Sequence, residues 1–359
     1  MKLFKSLLVA PATLGLLAPM SATANEVTIN DFNPAEELAI TNSRVDGLEA
    51  RLNNFEAGSF SETTTASFSA EMYLGSEDSD DGSATLNDTD DSIMAGYGFQ
   101  IDLNTSFTGE DSLDISLDAG NAGAAGIAEF DGNGGGDALT VDGVSYTFPV
   151  GGVTAFVGDN TDGSLLFTTA CVYGGPSNTL DDCGNVNAGI TGGEVSAGAS
   201  YDFDNGFTAA VGFQTSTSGV FTQESRDAMA FNVAYTGENY GVSVTYADIE
   251  NATVTNEDTG TAFNGYYTPE GLPSISVGYE VGEQGGVASD RDGFESFFVG
   301  LTWDEVGPGS AGIALGHSTT IEGSDEQYMY EAYYEYPVND GMTITPLVYV
   351  KENATVGSD

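Results

Sequence analysis

The sequence predicts an all-β fold, an antiparallel transmembrane β-barrel of sixteen strands with about fifteen present, preceded by a short coiled-coil helix. Three observations predict it. Apolar and polar side chains alternate with a period of two from residue 63 onward, the connections between these segments are alternately short and long, and the chain opens with a secretory signal. Barrels that cross a membrane with strands combine these features.

The alternation is clearest in residues 92–104, where one face of the strand is apolar and the other is mostly small or polar. The apolar residues of this segment are Ile93, Ala95, Tyr97, Phe99, Ile101 and Leu103. The chain has about fifteen such segments in all, each near the length of a tilted strand that crosses a bilayer. Because a soluble antiparallel sheet also alternates, the period alone does not say which face meets lipid.

The lengths of the connections indicate the direction of the strands. Residues 204–206 and 237–240 are tight turns, whereas residues 75–91 and 160–190 are long and polar. Outer-membrane barrels place short turns on one side and long loops on the other, whereas a soluble sandwich has no reason to alternate so regularly.

The strand count predicts a missing strand. If residues 63–74 run outward, the fifteenth segment, residues 342–351, also runs outward, and a closed barrel needs one more strand. We therefore expect the barrel, residues 60–359, to be truncated at its C-terminus. An odd-stranded barrel is the rarer alternative.

Residues 1–24 resemble a cleaved signal peptide. Lys2 and Lys5 precede a short apolar run, and the small residues Ala22 and Ala24 fit a cleavage site. An uncleaved anchor is the alternative, but the apolar run is short and interrupted by proline. No later stretch reaches the roughly eighteen consecutive apolar residues of a transmembrane helix.

Residues 25–59 form a predicted linker with one helix. Asn33 and Pro34 provide an N-cap and a proline in the first helical turn. Apolar side chains then follow at spacings typical of a coiled coil, at Leu38, Val45, Leu48, Leu52 and Phe55. Because so short a helix is marginal alone, it is either a stalk shared by three chains, or a helix that packs beneath the barrel or frays.

The charge excludes several functions. The chain has 55 acidic residues against 7 Lys or Arg, so its net charge is -48, and it lacks the positive surface that nucleic-acid binding needs. One His and two Cys do not supply a His-based triad or a His-rich metal site. We predict no enzyme activity, no cofactor and no nucleic-acid partner.

Several stretches also carry a family resemblance. They are MKLFKSLLVAPATLGLLAP, SRVDGLEARLNNFEAGSF followed by TTTASF, LNTSFTGEDSL and YTFPVGG. They resemble the cyanobacterial outer-membrane porin family, whose barrel is similar to carbohydrate-selective porins. Members usually carry an S-layer homology domain before the coiled coil, and here only residues 25–37 occupy that space.

The resemblance implies a location and a function. It implies a homotrimeric porin in the cell outer membrane that passes small hydrophilic solutes, inorganic ions or sugars. We also expect outer-membrane lipid and lipopolysaccharide as partners, the latter bridged by divalent cations at the acidic residues 75–91. Some members are labelled iron-uptake or carbohydrate porins. A structural or surface-adhesion protein with a plugged barrel is the alternative.

The polar strand faces supply candidate pore-lining acids, and rings of carboxylates favour cations. These acids are Glu71, Asp102, Asp114, Asp118, Glu194, Glu280, Glu331 and Glu335. A solvated face without selectivity is the alternative for each of them. Arg226 and Arg291 lie where long loops meet strands, where they either face carboxylates across the pore or form ordinary loop salt bridges.

The longest loop, residues 160–190, contains both cysteines of the chain. In an oxidising periplasm Cys171 and Cys183 are expected to form a disulfide that stiffens this loop. Such a loop either folds into the barrel and narrows it or stays outside, where the disulfide only protects it.

Overall fold

The computed structural model of the chain describes residues 64–76, 93–121, 129–130, 136–220, 222, 226–250, 257–285 and 291–352. The signal peptide, the linker with its coiled-coil helix and the acidic part of residues 75–91 lie outside the described residues, apart from 75–76, so the division before residue 60 stays a prediction. Within the described segments, no helix combines the length and the hydropathy needed to span a membrane.

The described residues form one antiparallel sheet in which neighbours along the chain are neighbours in the sheet. Its strands are β1 (Thr64–Gly75), β2 (Met94–Thr105), β3 (Ser112–Gly120), β4 (Thr140–Val150), β5 (Val153–Asp159), β6 (Val195–Asp202), β7 (Phe207–Thr215), β8 (Asp227–Thr236), β9 (Tyr240–Ile249), β10 (Asp258–Tyr267), β11 (Ser274–Gly285), β12 (Arg291–Val306), β13 (Gly309–Ile321), β14 (Met329–Asn339), β15 (Met342–Ile344) and β16 (Leu347–Lys351). The predicted all-β, antiparallel architecture is confirmed.

The last two strands are one strand position interrupted once. Both β15 and β16 pair with β14. Pro346 lies between them and has no backbone N–H to donate to the ladder, although its carbonyl oxygen accepts a hydrogen bond from the Tyr334 backbone at 3.1 Å. The fifteen predicted segments therefore appear as sixteen strands. In the described residues no ladder joins β1 to β15 or β16.

The exposure of the strands identifies the face that meets lipid. On β8, Met229, Phe231 and Val233 are 46%, 52% and 53% exposed, whereas the alternate residues Ala230 and Asn232 are buried. The register continues this pattern, since Val233 lies opposite Val244 on β9. A soluble sheet would bury its large apolar residues, so the outward apolar face here is suited to lipid.

The opposite, inner face of the sheet surrounds part of its own chain. The β5–β6 loop (residues 160–194) contacts the inner faces of eight consecutive strands, β7 to β14. A sheet that touches one loop with so many strands must curve round it. The position of this loop therefore decides how much of the inner face stays open.

A charge on the outer face should destabilise the folded protein in a bilayer. We expect Val233→Arg to lower the free energy of unfolding by about 2–4 kcal/mol, because the guanidinium would lie in hydrocarbon. Urea unfolding in lipid vesicles measures this. Ser69→Arg is the control, because Ser69 is exposed on the inner face of β1. Equal destabilisation by both variants would contradict the assignment of faces.

Candidate functional site

The β5–β6 loop crosses the inner face as an extended segment at residues 168–172. Every second backbone N–H of this segment donates to a polar side chain of a strand, as an extended chain allows. These bonds run from Thr168 to Asn232 Oδ1 at 3.0 Å, from Ala170 to Ser243 Oγ at 2.9 Å and from Val172 to Ser276 Oγ at 3.0 Å. The strands therefore replace the partners that a surface loop would find in water.

The two cysteines brace the same loop. Cys171 and Cys183 are joined by a disulfide, with their Cα atoms 6.4 Å apart. The Cys183 side chain is buried, and its carbonyl oxygen accepts a hydrogen bond from Asn264 Nδ2 at 2.8 Å. Of the two alternatives left open by the sequence, the structure shows the loop inside the sheet.

The close approach of the loop requires small residues beneath it. A Cβ atom at Gly278 of β11 would lie 1.7 Å from the Cys183 carbonyl oxygen, and one at Gly212 of β7 would lie 2.0 Å from the Gly163 oxygen. The buried inner positions Ala230, Ala247 and Ala262 are small as well. A run of glycine and alanine on the polar faces of β7–β11 is thus the sequence signal that could have located the loop.

Apolar packing holds the second half of the loop. Tyr173 and Leu180 lie against the inner residues of β12–β14, and the ring centroids of Tyr173 and Phe298 are 5.2 Å apart. The strand side chains of this cluster are Phe298, Ala314, Met329 and Tyr333. Removing these side chains from water favours the docked loop.

Glu280 of β11 is a buried anchor for the loop. Its carboxylate is fully buried and accepts hydrogen bonds from the backbone N–H groups of Val186, Asn187 and Ala188, at 2.6 to 3.1 Å. Three consecutive amide donors compensate the loss of water around a buried carboxylate. Glu280 points inward, as the alternation predicts, but the loop covers it.

Glu331 of β14 lies beneath the loop in the same way. It is buried and accepts a hydrogen bond from the Tyr173 hydroxyl at 2.6 Å. Burial, together with this hydrogen bond, raises the pKa of Tyr173 well above its usual range. The phenol therefore stays protonated and remains a donor to Glu331.

Three other predicted acids, Asp102, Asp114 and Asp118, form what we call the acidic wall on the inner faces of β2 and β3. Asp102 accepts hydrogen bonds from Gln100 at 2.7 Å and from Ser116 at 2.8 Å. Asp114 and Asp118 accept from residues of β2, β3 and β4. These partners are strand residues and not residues of the β5–β6 loop, and three strands, β4 to β6, separate β3 from β7 in the sheet.

The remaining acids occupy separate places. Glu71 is exposed on the inner face of β1 and accepts a hydrogen bond from the Tyr73 hydroxyl. Glu194 is exposed immediately before β6, outside the strand. Glu335 on β14 accepts a hydrogen bond from Ser310 at 2.6 Å. The structure thus brings together Asp102, Asp114 and Asp118 but not all eight carboxylates.

Arg226 lies at a loop edge. Its guanidinium is 3.4 Å from Asp258, and its Nε donates to the Glu250 carbonyl oxygen at 3.2 Å. This is the geometry of a loop salt bridge, one of the two alternatives for this residue. Arg291 begins β12 opposite Gly285, and its side chain lies outside the described part of the chain.

The β5–β6 loop borders an open cavity of about 330 Å³, whose lining includes Asp181, Asp182 and Thr169. Asp182 is exposed to water in this cavity, yet protein surrounds it on several sides. This enclosure, with smaller contributions from Asp181, Glu280 and Asp162, raises the pKa of Asp182 to about 7. In the described residues no group of three or more His, Cys, Asp or Glu side chains could hold a metal ion.

Sequence reasoning missed one charged contact between two other segments that both bond to the β5–β6 loop at Thr179. Lys351 at the end of β16 lies 2.6 Å from Glu129, a residue of the β3–β4 connection. Nothing in the spacing of these residues indicates the contact, because they are 222 positions apart in the sequence.

No protein-family model and no curated protein sequence matches the chain. Solved structures do. OmpT of Vibrio cholerae in its trimer form has a TM-score of 0.55 at 13% identity, covering 81% of this chain and 89% of its own. The OmpT variant lacking loop L8 has a TM-score of 0.53 at 12% identity, covering 81% and 94%. A porin refined at 1.8 Å has a TM-score of 0.52 at 14% identity, covering 80% and 94%.

These similarities define the fold of the chain as the antiparallel β-barrel of outer-membrane porins. The predicted fold class is therefore confirmed. At identities of 12–14% these similarities establish the fold alone. The resemblance to the cyanobacterial family stays a prediction.

Loss of the buried anchor should release the loop. We expect Glu280→Ala to leave three amide groups without an acceptor and to lower the free energy of unfolding by about 1–3 kcal/mol. Cleavage of the folded protein by chymotrypsin after Tyr173 should become faster. Glu71→Ala removes an exposed acid of the inner face as a control, and equal sensitivity of both variants would contradict the anchoring role.

Proposed function

We propose that the protein is an outer-membrane porin for passive diffusion of small hydrophilic solutes and inorganic ions. The observation that carries the proposal is the division of the inner face: the β5–β6 loop lies against β7–β14, and the acidic wall on β2 and β3 stays outside its hydrogen bonds. A water-filled path between loop and wall would be narrow and polar. The porin fold and the outward apolar face support this function.

We further propose that the channel prefers cations. The acidic wall would face the loop cavity that contains Asp181 and Asp182, so carboxylates would line both sides of the path. Carboxylates at close quarters attract cations and repel anions. The net charge of -48 acts in the same direction over longer distances.

The finer parts of the proposal rest on the sequence. We propose export by a cleaved signal at residues 1–24, contact with lipid and lipopolysaccharide, and assembly as a homotrimer. The trimer form in which OmpT of Vibrio cholerae was solved supports the last point by analogy of fold. Sugars and iron, as permeants, come from the family resemblance.

The competing function is structural or adhesive, with a barrel plugged by its own loop. The contacts of the β5–β6 loop with eight strands favour it. Conductance of the purified protein in a planar bilayer distinguishes the two functions. Discrete ion-conducting steps are expected for the porin, and their absence would leave the plugged barrel.

The acidic wall should set the ion preference. We expect the triple variant Asp102→Asn, Asp114→Asn, Asp118→Asn to lower the cation-to-anion permeability ratio at least roughly twofold, since three carboxylates leave the path. Reversal potentials under a salt gradient measure the ratio. Glu335→Gln is the control, as it removes one acid from the middle of β14, outside the acidic wall. An anion-preferring native channel would refute the proposal.

The channel should lose part of its cation preference as the pH falls through about 7, because one carboxylate of the path becomes neutral. The pKa of Asp182 is raised to about 7, so this carboxyl is ionised above that pH and neutral below it. Recordings between pH 5.5 and pH 8.5, about 1.5 units on either side, should show the change. Asp182→Asn should flatten this part of the profile, and an unaltered profile would contradict the assignment.

A further inference from the structure

Three distant segments of the chain meet at Glu129. This residue belongs to the β3–β4 connection, and its side chain is buried. Its carboxylate is 2.6 Å from the Lys351 ammonium of β16, and it also accepts hydrogen bonds from the backbone N–H and the hydroxyl of Thr179 at 3.1 and 3.0 Å. The Thr179 hydroxyl in turn accepts a hydrogen bond from Lys351 at 2.8 Å. The β5–β6 loop, the β3–β4 connection and the last strand are thus joined at one point.

The neighbouring atoms extend this junction to the first strand. The Glu129 carbonyl oxygen accepts a hydrogen bond from the Asn178 backbone N–H at 2.9 Å. The Phe130 ring lies on Tyr73 of β1, with ring centroids 5.1 Å apart. Glu129 and Phe130 therefore contact both β1 and β16, the strands between which the described residues form no ladder.

The charge balance makes Lys351 unusual. Among the side chains that the structure describes, the basic ones are Arg226 at a loop edge and Lys351 on the inner face. Glu129 is close enough to Glu331 for their carboxylates to repel each other. Without the Lys351 ammonium, the buried Glu129 carboxylate would lose its cation, and an unpaired buried charge is costly.

An ordinary surface salt bridge has little effect on structure. This pair differs because the Glu129 carboxylate is buried. Its two partners, Lys351 and Thr179, are also hydrogen-bonded to each other. When every polar group of such a network has a hydrogen-bond partner, one arrangement of the side chains is favoured over the others.

We propose that Glu129 and Lys351 are a positioning pair that fastens the β5–β6 loop to the last strand and holds it at a fixed distance from the acidic wall. The pair touches no permeating ion in this role and acts through the loop. The effect on conductance rests on the proposed channel function, whereas the fastening of the loop does not.

Hydrogen–deuterium exchange of the full chain in detergent micelles tests the fastening directly. In Lys351→Met, the amides in residues 176–182 should exchange at least about tenfold faster, since Asn178 and Thr179 donate to Glu129. Lys351→Arg keeps a cation and should keep exchange slow. Arg226→Gln removes the same charge at a loop edge and should also leave exchange in this segment unchanged.

A second variant keeps the test decisive where Lys351→Met does not fold. Glu129→Ala leaves no unpaired buried charge at this junction, because Lys351 is exposed enough to be hydrated. The same acceleration is expected. Unchanged exchange in Glu129→Ala, or acceleration of equal size in Arg226→Gln, would overturn the positioning role.

Single-channel recording supplies the functional readout. Lys351→Met should raise the open-channel conductance and its fluctuations, while Lys351→Arg and Arg226→Gln should resemble the unmodified protein. The two proposals fail separately. A native protein without conducting steps refutes the channel and leaves the exchange result to decide the fastening, whereas unchanged exchange refutes the fastening even if the channel conducts.

Discussion

The backbone hydrogen bonds between neighbouring antiparallel strands are the interaction on which the rest of this structure depends. They satisfy the polar backbone within the sheet, so the outer side chains can be as apolar as Phe231 and Val233 without exposing peptide groups to lipid. The same pleat then sends every alternate residue inward. Polar and acidic residues are tolerated there because that side meets water or other parts of the chain.

The inner face contains two chemically different regions. Beneath the β5–β6 loop, the strands present small side chains and a few polar groups that each bind loop backbone, with Glu280 as the most buried example. On β2 and β3, the inner residues bind one another instead, as Asp102 and Ser116 do. The β5–β6 loop thus divides the inner face of the sheet into a packed region and a polar region. This asymmetry is the basis of the proposed channel.

Much of the fold could be predicted because it depends on local rules. The period of two and the tight turns can be read from short windows of the sequence, and a count of these windows along the chain gives about fifteen segments. The interruption at Pro346 follows from its missing N–H but divides one expected strand into two. The roles of Glu280 and Glu331 could not be predicted, because alternation gives the side of the sheet and not what covers it. The Glu129–Lys351 contact joins residues 222 positions apart, and such a long-range contact leaves no periodic signal in the sequence.

The missing side chains at Gly278 and Gly212 have a consequence for how this sequence can change over generations. At both positions even one added methyl group would collide with loop backbone, so substitutions there are restricted by volume. The acids of the wall on β2 and β3 bond instead to strand side chains, so they are restricted mainly by polarity. In the proposed channel, substitutions in the acidic wall would therefore change the polarity of the path, whereas Gly212 and Gly278 accept no larger residue.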